Sequence, residues 1–587
     1  MLRFPRALWI ALAIAVLATS PALSAPLTFD DQFQALRIAG QVPGPSQDPF
    51  NVYSFGPGKI EPNGLGWDGC VYPWWSDAGH AARFFRPLSS AILYAEHRAF
   101  GRSPVPFHLV SLLVFLGALV LVSKLFRRLL PEREAALATF AFAVAPCHLQ
   151  VACWAAAIHL SVTAIFVLSA LLLYLDAREQ RAASLTKHAG ALLLGAMALS
   201  CGESALGLFA FLFAYETFGR TEARSHRVKA LVPWALLFLG YVVVYKLGGY
   251  GVAKSSAYLD PLAAPLAYAR ELPLRLLLLS AGALLGASIE VAAFFPPHVA
   301  LYYAAAGAVA LVAFVPLVLV AGRGLDESAR RNVRWLLIGS VLAALPAAAG
   351  FPGDRVVFLP SLAAAAGAGV ILGAGLPLGR IRELAWPLRP AFVLICLLTF
   401  PLAPLRLFAT AAFAGPLAEA GLRAAREAEL PSRPGVRVVG LALSDPFVGF
   451  YLASEIWFAG RPGPLPATVQ LLSMAPYNHV VRRTGERTIE LEVADGGALL
   501  TTQIERLNRA PDHMYRVGDA VPRGPWLIRV EAVKDGDPTR ISVTFDTSVD
   551  DPSLALIVWR DGRLRPLGPL AIGSEVRVPK ERAVMPF

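Results

Sequence analysis

The chain has 587 residues, of which 56% are hydrophobic and only 16% are charged. A soluble domain carries about 25% charged residues, so this composition excludes a soluble enzyme and a disordered chain and indicates a membrane protein. The 53 lysines and arginines outnumber the 42 acidic residues, and basic residues that flank membrane spans explain this excess. We therefore expect membrane lipids, and no nucleic acid, among the partners of this protein.

The N-terminal segment predicts the first membrane span. Arg3 and Arg6 precede residues 7–29, which carry no charge and are long enough to cross about 30 Å of hydrocarbon as a helix. We predict a retained span with its N-terminus in the cytoplasm of a bacterial-type plasma membrane. Small residues at 20–25 leave cleavage as a signal peptide open. In both cases Asp30 emerges on the outer face.

Clusters of lysine and arginine between the later apolar segments predict the direction of each span. These spans are expected at residues 104–123, 135–150, 155–175, 189–203, 205–218, 231–247, 299–321, 335–349, 357–376 and 391–408. With the first, they make eleven crossings and place the C-terminus outside. Residues 272–295 are apolar enough to insert, but a crossing there would reverse the loops that follow. They are therefore expected to be re-entrant, to lie along the membrane surface, or to pair with a span not recognised.

This pattern divides the chain into three predicted parts. Residues 1–410 form the transmembrane domain, including a first outer loop with amphipathic helices at 26–103. Residues 411–430 are expected to form a linker helix, and residues 431–587 a β-rich outer domain, because short alternating apolar runs are separated there by Gly, Pro and Asp turns. Trp67, Trp74 and Trp75 are predicted to lie in an aromatic belt at the membrane interface, with stacking on a sugar as the alternative.

Conspicuous polar residues gather on the outer side of the predicted spans. Ionisable groups at membrane depth are costly and mark functional sites. A carboxylate can act as general base towards a hydroxyl, and arginine suits a phosphate. We therefore predict Asp30 or Asp31 as the base and Arg86 and Arg355 as phosphate ligands. The other expected cavity residues are His148, Gln150, Trp154, His159, Glu203 and Asp354.

Each of these residues also has a structural explanation. The two aspartates fit the first turn of a helix, and Arg86 fits a side chain that snorkels to the interface. His148 and His159 fit hydrogen-bonded residues of a helix bundle, since no ligand-spaced partner accompanies them. No metal site is predicted, no cofactor is certain, and a requirement for a divalent cation is left open.

The motifs that carry these residues resemble those of the GT-C superfamily, polytopic membrane glycosyltransferases that use polyprenyl-phosphate sugars. Within it, residues 1–410 are most similar to the protein O-mannosyltransferase relatives that often carry tetratricopeptide repeats. The matching stretches are Phe29-Asp30-Asp31, Phe85-Arg86-Pro87-Leu88, Phe107-His108-Leu109, Pro146 to Gln150 with Trp154, Cys201-Gly202-Glu203, and Asp354-Arg355-Val356 through Leu359-Pro360-Ser361. Gln150 stands where the relatives have Glu, and a Gly-Arg pair and an Asp after Trp154 and a Lys before Glu203 are missing.

The resemblance implies a fold of about 11–12 transmembrane helices with a small C-terminal extracytoplasmic β-rich domain. It also implies transfer of a sugar, with inversion, from a polyprenyl-phosphate donor to a hydroxyl of an extracytoplasmic protein or glycan acceptor. Two alternatives stay open: a scaffold or lipid-carrier binding protein on a decayed enzyme frame, and a lipid or polysaccharide transporter or flippase. The missing charged residues favour the first alternative, whereas the second lacks the repeated halves expected of a transporter.

Overall fold

The computed structural model describes residues 6–41, 47–59, 72–179, 184–291, 295, 297–376, 382, 386, 388–443, 445–460 and 464–581. Its N-terminal two thirds are helical. The helices are α1 (Arg6–Thr19), α2 (Asp30–Ile38), α3 (Pro87–Phe100), α4 (Pro104–Leu129), α5 (Glu132–Ala143), α6 (Leu149–Cys153), α7 (Ile158–Glu179), α8 (Ser184–Leu199), α9 (Leu206–Ala214), α10 (Arg224–Leu247), α11 (Pro265–Leu285), α12 (Pro297–Ala321), α13 (Glu327–Ala348), α14 (Ser361–Gly375), α15 (Leu388–Leu397), α16 (Ala403–Arg426) and α17 (Pro446–Phe458).

Six helices of the described chain are long and apolar enough to cross a membrane, and seven are if the bent pair formed by α5 and Pro146–Cys153 counts as one span. The six are Arg6–Ser24, Pro104–Leu129, Ala155–Glu179, Arg224–Leu247, His298–Gly324 and Leu388–Arg426. All eleven predicted spans coincide with helical segments. The predicted spans outside this set overlap helices that are too short, such as α9 with nine residues, or too charged, such as α13 in its first turns.

The described part of residues 272–295 is largely a regular helix. Their first part belongs to α11, a continuous helix of 21 residues that Gly286 ends in a left-handed conformation at φ 63°. At 1.5 Å per residue this helix is about 31 Å long. Gly307 of α12 lies against the backbone of Leu277 and Ala281, so the two helices pack closely. Because α12 is itself one of the predicted spans, the expectation of an unrecognised partner span is not tested, and the position of residues 272–295 in the membrane stays a prediction.

Small residues bring the helices of the bundle close together. Gly369 of α14 faces the backbone of α5, where an added Cβ would lie 2.5 Å from the carbonyl oxygen of Glu134. Such small-residue contacts are typical of helices that pack in lipid. The bundle core lies around α4, α5, α7 and α14, with Phe115, Phe142 and Phe211 fully buried.

The C-terminal region is β-rich, as predicted. Its strands are β4 (Arg437–Ala442), β5 (Thr468–Leu471), β6 (His479–Arg483), β7 (Thr488–Val493), β8 (Ala520–Arg523), β9 (Trp526–Lys534), β10 (Asp537–Thr544), β11 (Leu554–Arg560), β12 (Arg563–Pro566) and β13 (Glu575–Val578). Six of them form an antiparallel sheet in the order β13-β6-β7-β10-β9-β8, and the rest form the sheet β12-β11-β4-β5. In the second sheet β4 is parallel to both β5 and β11. The parallel pair β4 and β5 is joined through α17, a helix that the sequence reading missed.

The first outer loop joins the helical bundle to the C-terminal domain. It contributes β1 (Ser54–Pro57) and β2 (Ala81–Arg83), and these form a sheet with β3 (Gly251–Ala253). Trp74 and Trp75 are fully buried, and their indole N–H groups donate to the backbone oxygens of Leu472 and Glu505. The predicted aromatic belt is therefore wrong for these two residues, because they dock the loop on the C-terminal domain. Trp67 lies outside the described residues.

Candidate functional site

Asp30 lies at the junction of two cavities, at the first position of α2. The large cavity has a volume of about 750 Å³, and the small cavity of about 320 Å³. Asp30, Trp154, Tyr258 and Arg355 line both of them. No side-chain hydrogen bond is found for the Asp30 carboxylate among the described residues. The carboxylate is therefore free to accept a proton or a hydrogen bond from a ligand.

The residue before Asp30 has a strained backbone. Phe29 has φ 53° and ψ −122°, a conformation that residues with a side chain rarely adopt. Its ring lies 4.8 Å from the ring of Tyr451 in α17 and 6.1 Å from that of Trp154. Such strain persists only where surrounding contacts hold it, and it concentrates at functional sites. Here it directs α2 away from the end of the first span and presents Asp30 to the cavities.

Arg86 lies in the small cavity and already has an ion partner. Its Nε donates to Oε2 of Glu203 at 2.8 Å, and its Nη1 lies 3.0 Å from Nε2 of His159. The guanidinium also lies over the rings of Tyr53 and Phe84, at 5.0 and 4.4 Å from their centroids. These contacts fix Arg86 and offset its charge, and its role as a phosphate ligand stays a prediction.

Arg355 is placed differently, at the junction of the cavities. Its Nη1 lies 3.5 Å from Oε1 of Gln150, and its guanidinium lies over the rings of Trp154 and Phe351 at 5.1 and 5.6 Å. Within the described residues Arg355 forms no ion pair. Because Gln150 is neutral, the positive charge of Arg355 remains available to an anionic ligand.

The electrostatics of the junction suit a general base. Burial raises the pKa of Asp30 to about 6, and the positive charges of Arg355 and Arg86 oppose this rise. A general base works best when its pKa lies near the working pH. Asp30 therefore combines access to both cavities with a pKa close to neutrality.

Asp31, the other candidate base, faces the protein interior. It has no exposed surface, and its carboxylate accepts the backbone N–H groups of Ala156 at 2.7 Å and Thr28 at 3.3 Å. Burial raises its pKa to about 8. The structure thus distinguishes the two aspartates: Asp31 ties the start of α2 to residue 156, and only Asp30 meets the cavities.

Two further predicted cavity residues lie elsewhere. His148 is buried in the bundle, where Nδ1 lies 2.9 Å from the carbonyl oxygen of Phe142 and Nε2 lies 3.0 Å from Oγ of Ser361. Asp354 accepts the N–H of Ile289 at 2.8 Å, and its own N–H donates to Glu290. The expectation that both line the cavity is wrong, because hydrogen bonds inside the bundle occupy them. Both groups instead hold the loops around the site.

Of the predicted cavity residues, Gln150 and Trp154 line the large cavity, and Trp154 with His159 and Glu203 lines the small one. Sequence reading missed Tyr258, Glu290 and Tyr451. Tyr258 and Tyr451 lie within electrostatic range of both Asp30 and Arg355. Neither tyrosine belongs to a motif, and Tyr451 comes from a helix that was not predicted. No group of three or more His, Cys, Asp or Glu side chains that could hold a metal ion occurs in the described ranges.

No family model and no curated protein matches this chain. Among solved structures, the oligosaccharyltransferase AglB of Archaeoglobus fulgidus, in complex with an inhibitory peptide and a dolichol-phosphate, matches with a TM-score of 0.44 and 13% identity over 79% of this chain. ArnT of Cupriavidus metallidurans, bound to undecaprenyl phosphate, matches with a TM-score of 0.39 and 14% identity over 79% of this chain and 88% of its own.

The mycobacterial arabinofuranosyltransferase AftD matches 92% of this chain with a TM-score of 0.38 and 14% identity, and 41% of its own length is covered. This chain covers 64% of the length of the archaeal enzyme. All three are GT-C glycosyltransferases, the group that the sequence motifs resemble. The narrower resemblance to protein O-mannosyltransferase relatives stays a prediction, and at these TM-scores the similarities concern the fold.

Proposed function

We propose that this protein is an integral membrane glycosyltransferase that moves a sugar from a polyprenyl-phosphate donor to a hydroxyl on the outer side of the membrane. The observation that carries this proposal is the pairing at the junction of the cavities. There, the free carboxylate of Asp30 and the guanidinium of Arg355, which forms no ion pair with the described residues, line the same space. A base and a phosphate ligand on either side of a reacting carbon are what sugar transfer from a phosphate requires.

The large cavity suits the donor. Beside Arg355 its wall includes apolar residues of α16, namely Ala409, Phe413, Ala414 and Leu417. Phe413 is also partly exposed on the outside of the bundle. A polyprenyl chain can therefore follow α16 towards lipid while its phosphate contacts Arg355.

The small cavity suits the acceptor. It is lined by Arg86, His159, Glu203 and several tyrosines, and it reaches Asp30 from the other side. The acceptor hydroxyl gives its proton to the Asp30 carboxylate, and its oxygen attacks the anomeric carbon. The bond between this carbon and the phosphate oxygen breaks, and the leaving phosphate keeps the electron pair, with Arg355 offsetting its charge. Attack from the side opposite the phosphate inverts the configuration.

A second candidate is a lipid-carrier binding protein without turnover. The ion pair between Arg86 and Glu203 favours it, because it leaves one cation for the phosphate where the motifs suggested two. Gln150 does not distinguish the two candidates, because an uncompensated Arg355 can bind a phosphate with or without turnover.

The test uses the full chain in lipid nanodiscs, with undecaprenyl phosphate as the binding probe and undecaprenyl-phosphate hexoses as donors. We expect Asp30→Asn to reduce sugar release by about 10²–10⁴-fold, the usual contribution of a general base, and to keep undecaprenyl phosphate binding. Arg355→Gln is expected to lose that binding. Glu327→Gln, at an exposed i,i+4 pair of α13, is the matched control. Binding without any turnover in the native protein would support the second candidate, and no binding at all would overturn both.

A further inference from the structure

One wall of the large cavity comes from the C-terminal domain. Gln470 of β5, Asn508 of the loop before β8, and Ser454 of α17 all line it, together with Tyr451. The ionisable groups Asp30, Glu290 and Arg355 line the same cavity from the membrane-domain side. The charged groups of the cavity therefore lie on the membrane-domain side, whereas the C-terminal side is mainly apolar and its polar groups are amides and hydroxyls.

The side-chain amides of Gln470 and Asn508 are the polar groups on this wall that are available to a ligand. Gln470 and Asn508 are each only 7% exposed, and neither side chain forms a hydrogen bond within the described part of the chain. Both side chains line the cavity, so their amide groups can donate to and accept from a polar ligand there.

The chemistry of the wall indicates which ligand this is. An amide offers both a donor and an acceptor, which matches the hydroxyls of a sugar. His80 of the first outer loop also lines the cavity. Its Nδ1 lies 3.0 Å from the carbonyl oxygen of Lys254, and burial lowers its pKa, so it is neutral at physiological pH. The side therefore offers hydrogen bonds without a charged group, which suits an uncharged sugar better than a uronic acid or an amino sugar.

The outer loop holds this wall in place. The backbone oxygen of Asn508 accepts the N–H of Asp77 at 2.9 Å, and that of Leu507 accepts Oγ–H of Ser255 at 2.6 Å. The carbonyl of Leu472, two residues beyond Gln470, accepts the indole N–H of Trp74 at 3.0 Å. These bonds order the backbone that carries both amides before a ligand arrives, which reduces the entropy that binding costs.

We propose that Gln470 and Asn508 bind the sugar of the lipid-linked donor and select an uncharged hexose. The proposal rests on the proposed function, because it places the donor phosphate at Arg355 in the same cavity. It assigns to the C-terminal domain the recognition of the sugar, while the membrane domain binds the phosphate and the lipid.

The experiment compares ligands that differ only in the sugar. Undecaprenyl phosphate, its mannosyl, glucosyl and galactosyl derivatives, and its galacturonosyl derivative are titrated against the full chain in nanodiscs. At least one neutral hexose should raise the affinity over undecaprenyl phosphate alone, and the uronic acid should not. Gln470→Ala and Asn508→Ala should each reduce the affinity for that hexose ligand by about three- to tenfold, the usual effect of losing one hydrogen bond. Their affinity for undecaprenyl phosphate should stay unchanged.

Retained binding of undecaprenyl phosphate also shows that the variants are folded, and Asn478→Ala, at an exposed amide of the same domain, is the matched control. If undecaprenyl phosphate does not bind the native protein, the proposed function fails. If it binds but no neutral hexose adds affinity, or the uronic acid binds as tightly as the best hexose, the inference fails and the function stands. The inference also fails if a variant loses as much affinity for undecaprenyl phosphate as for its hexose derivative. In that case the amides act on the phosphate or the lipid and not on the sugar.

Discussion

The ring of Phe29 lies 4.8 Å from the ring of Tyr451, so a residue of the C-terminal domain supports the strained turn that presents Asp30. The contact joins parts of the chain more than 400 positions apart. Phe29 also meets Trp154 edge-on at 6.1 Å, and the two rings together hold its φ of 53°. The candidate base is therefore positioned from two sides, by the membrane domain and by the outer domain.

This relationship predicts that the ring of Tyr451 is needed and its hydroxyl is not. Tyr451→Phe keeps the ring contact, so we expect sugar release close to the native rate. Tyr451→Ala frees Phe29, and a displacement of about 1 Å at a reacting group can cost about 100-fold in rate. The measurement is kcat for donor hydrolysis, with undecaprenyl phosphate affinity as the folding control. If the Phe variant is as impaired as the Ala variant, the hydroxyl acts directly and the ring contact is not the cause.

Many helices of the N-terminal two thirds could be predicted from the sequence, because long apolar runs indicate helices directly, whereas their direction across the membrane stays a prediction. Polar groups near the membrane face the protein interior, and this rule is the reason for choosing the candidate site residues. Seven of their side chains come from separate elements and line the two cavities. Their catalytic and binding roles stay predictions.

Other features could not be predicted, for physical reasons. The choice between Asp30 and Asp31 depends on the backbone of Phe29, which no local pattern indicates. The helix Pro446–Phe458 has apolar residues around most of its circumference and almost no amphipathic periodicity, so its sequence pattern does not separate it from the β domain around it. Gln470 and Asn508 are uncharged and belong to no motif, and only the folded cavity gives them a distinct position.

The second prediction concerns the pH dependence of turnover. A general base must be ionised, so activity should fall as the pH falls through about 6, the pKa of Asp30. The positive charge of Arg355 lowers that pKa, and Arg355→Gln should therefore move the acidic limb to higher pH. The measurement is the pH profile of kcat/KM for residual donor hydrolysis, because the variant is expected to bind the donor too weakly to be saturated. If the acidic limb of the pH profile is the same in Arg355→Gln and in the native protein, a group other than Asp30 controls that limb.

The third prediction concerns stability and Asp31. Its pKa is raised from 3.8 to about 8 by burial, so the folded state binds this proton more tightly than the unfolded state. Its contribution to the free energy of unfolding is therefore present at low pH and is lost as the pH rises from about 4 through 8. Asp31→Asn cannot ionise, and its amide oxygen can still accept the N–H of Ala156.

We expect the Asn variant to lose less stability than the native protein between pH 6 and 9. Thermal unfolding of both proteins in the same detergent measures this difference, and the many other buried acids cancel in the comparison. Parallel pH curves for the two proteins would show that Asp31 does not titrate in this range.

The fourth prediction tests the close packing of the bundle. An added Cβ at Gly369 would lie 2.5 Å from the carbonyl oxygen of Glu134 and 2.8 Å from the backbone nitrogen of Ala138, so α5 and α14 would have to separate. Gly369→Ala should therefore lower the free energy of unfolding by about 1–3 kcal/mol, the usual cost of overpacking. Gly240 in α10 is the matched control, because an added Cβ there meets nothing within 4 Å. Gly240→Ala should leave stability unchanged or raise it by up to about 1 kcal/mol through helix propensity. Equal melting temperatures for the two variants in detergent would contradict the contact between α5 and α14.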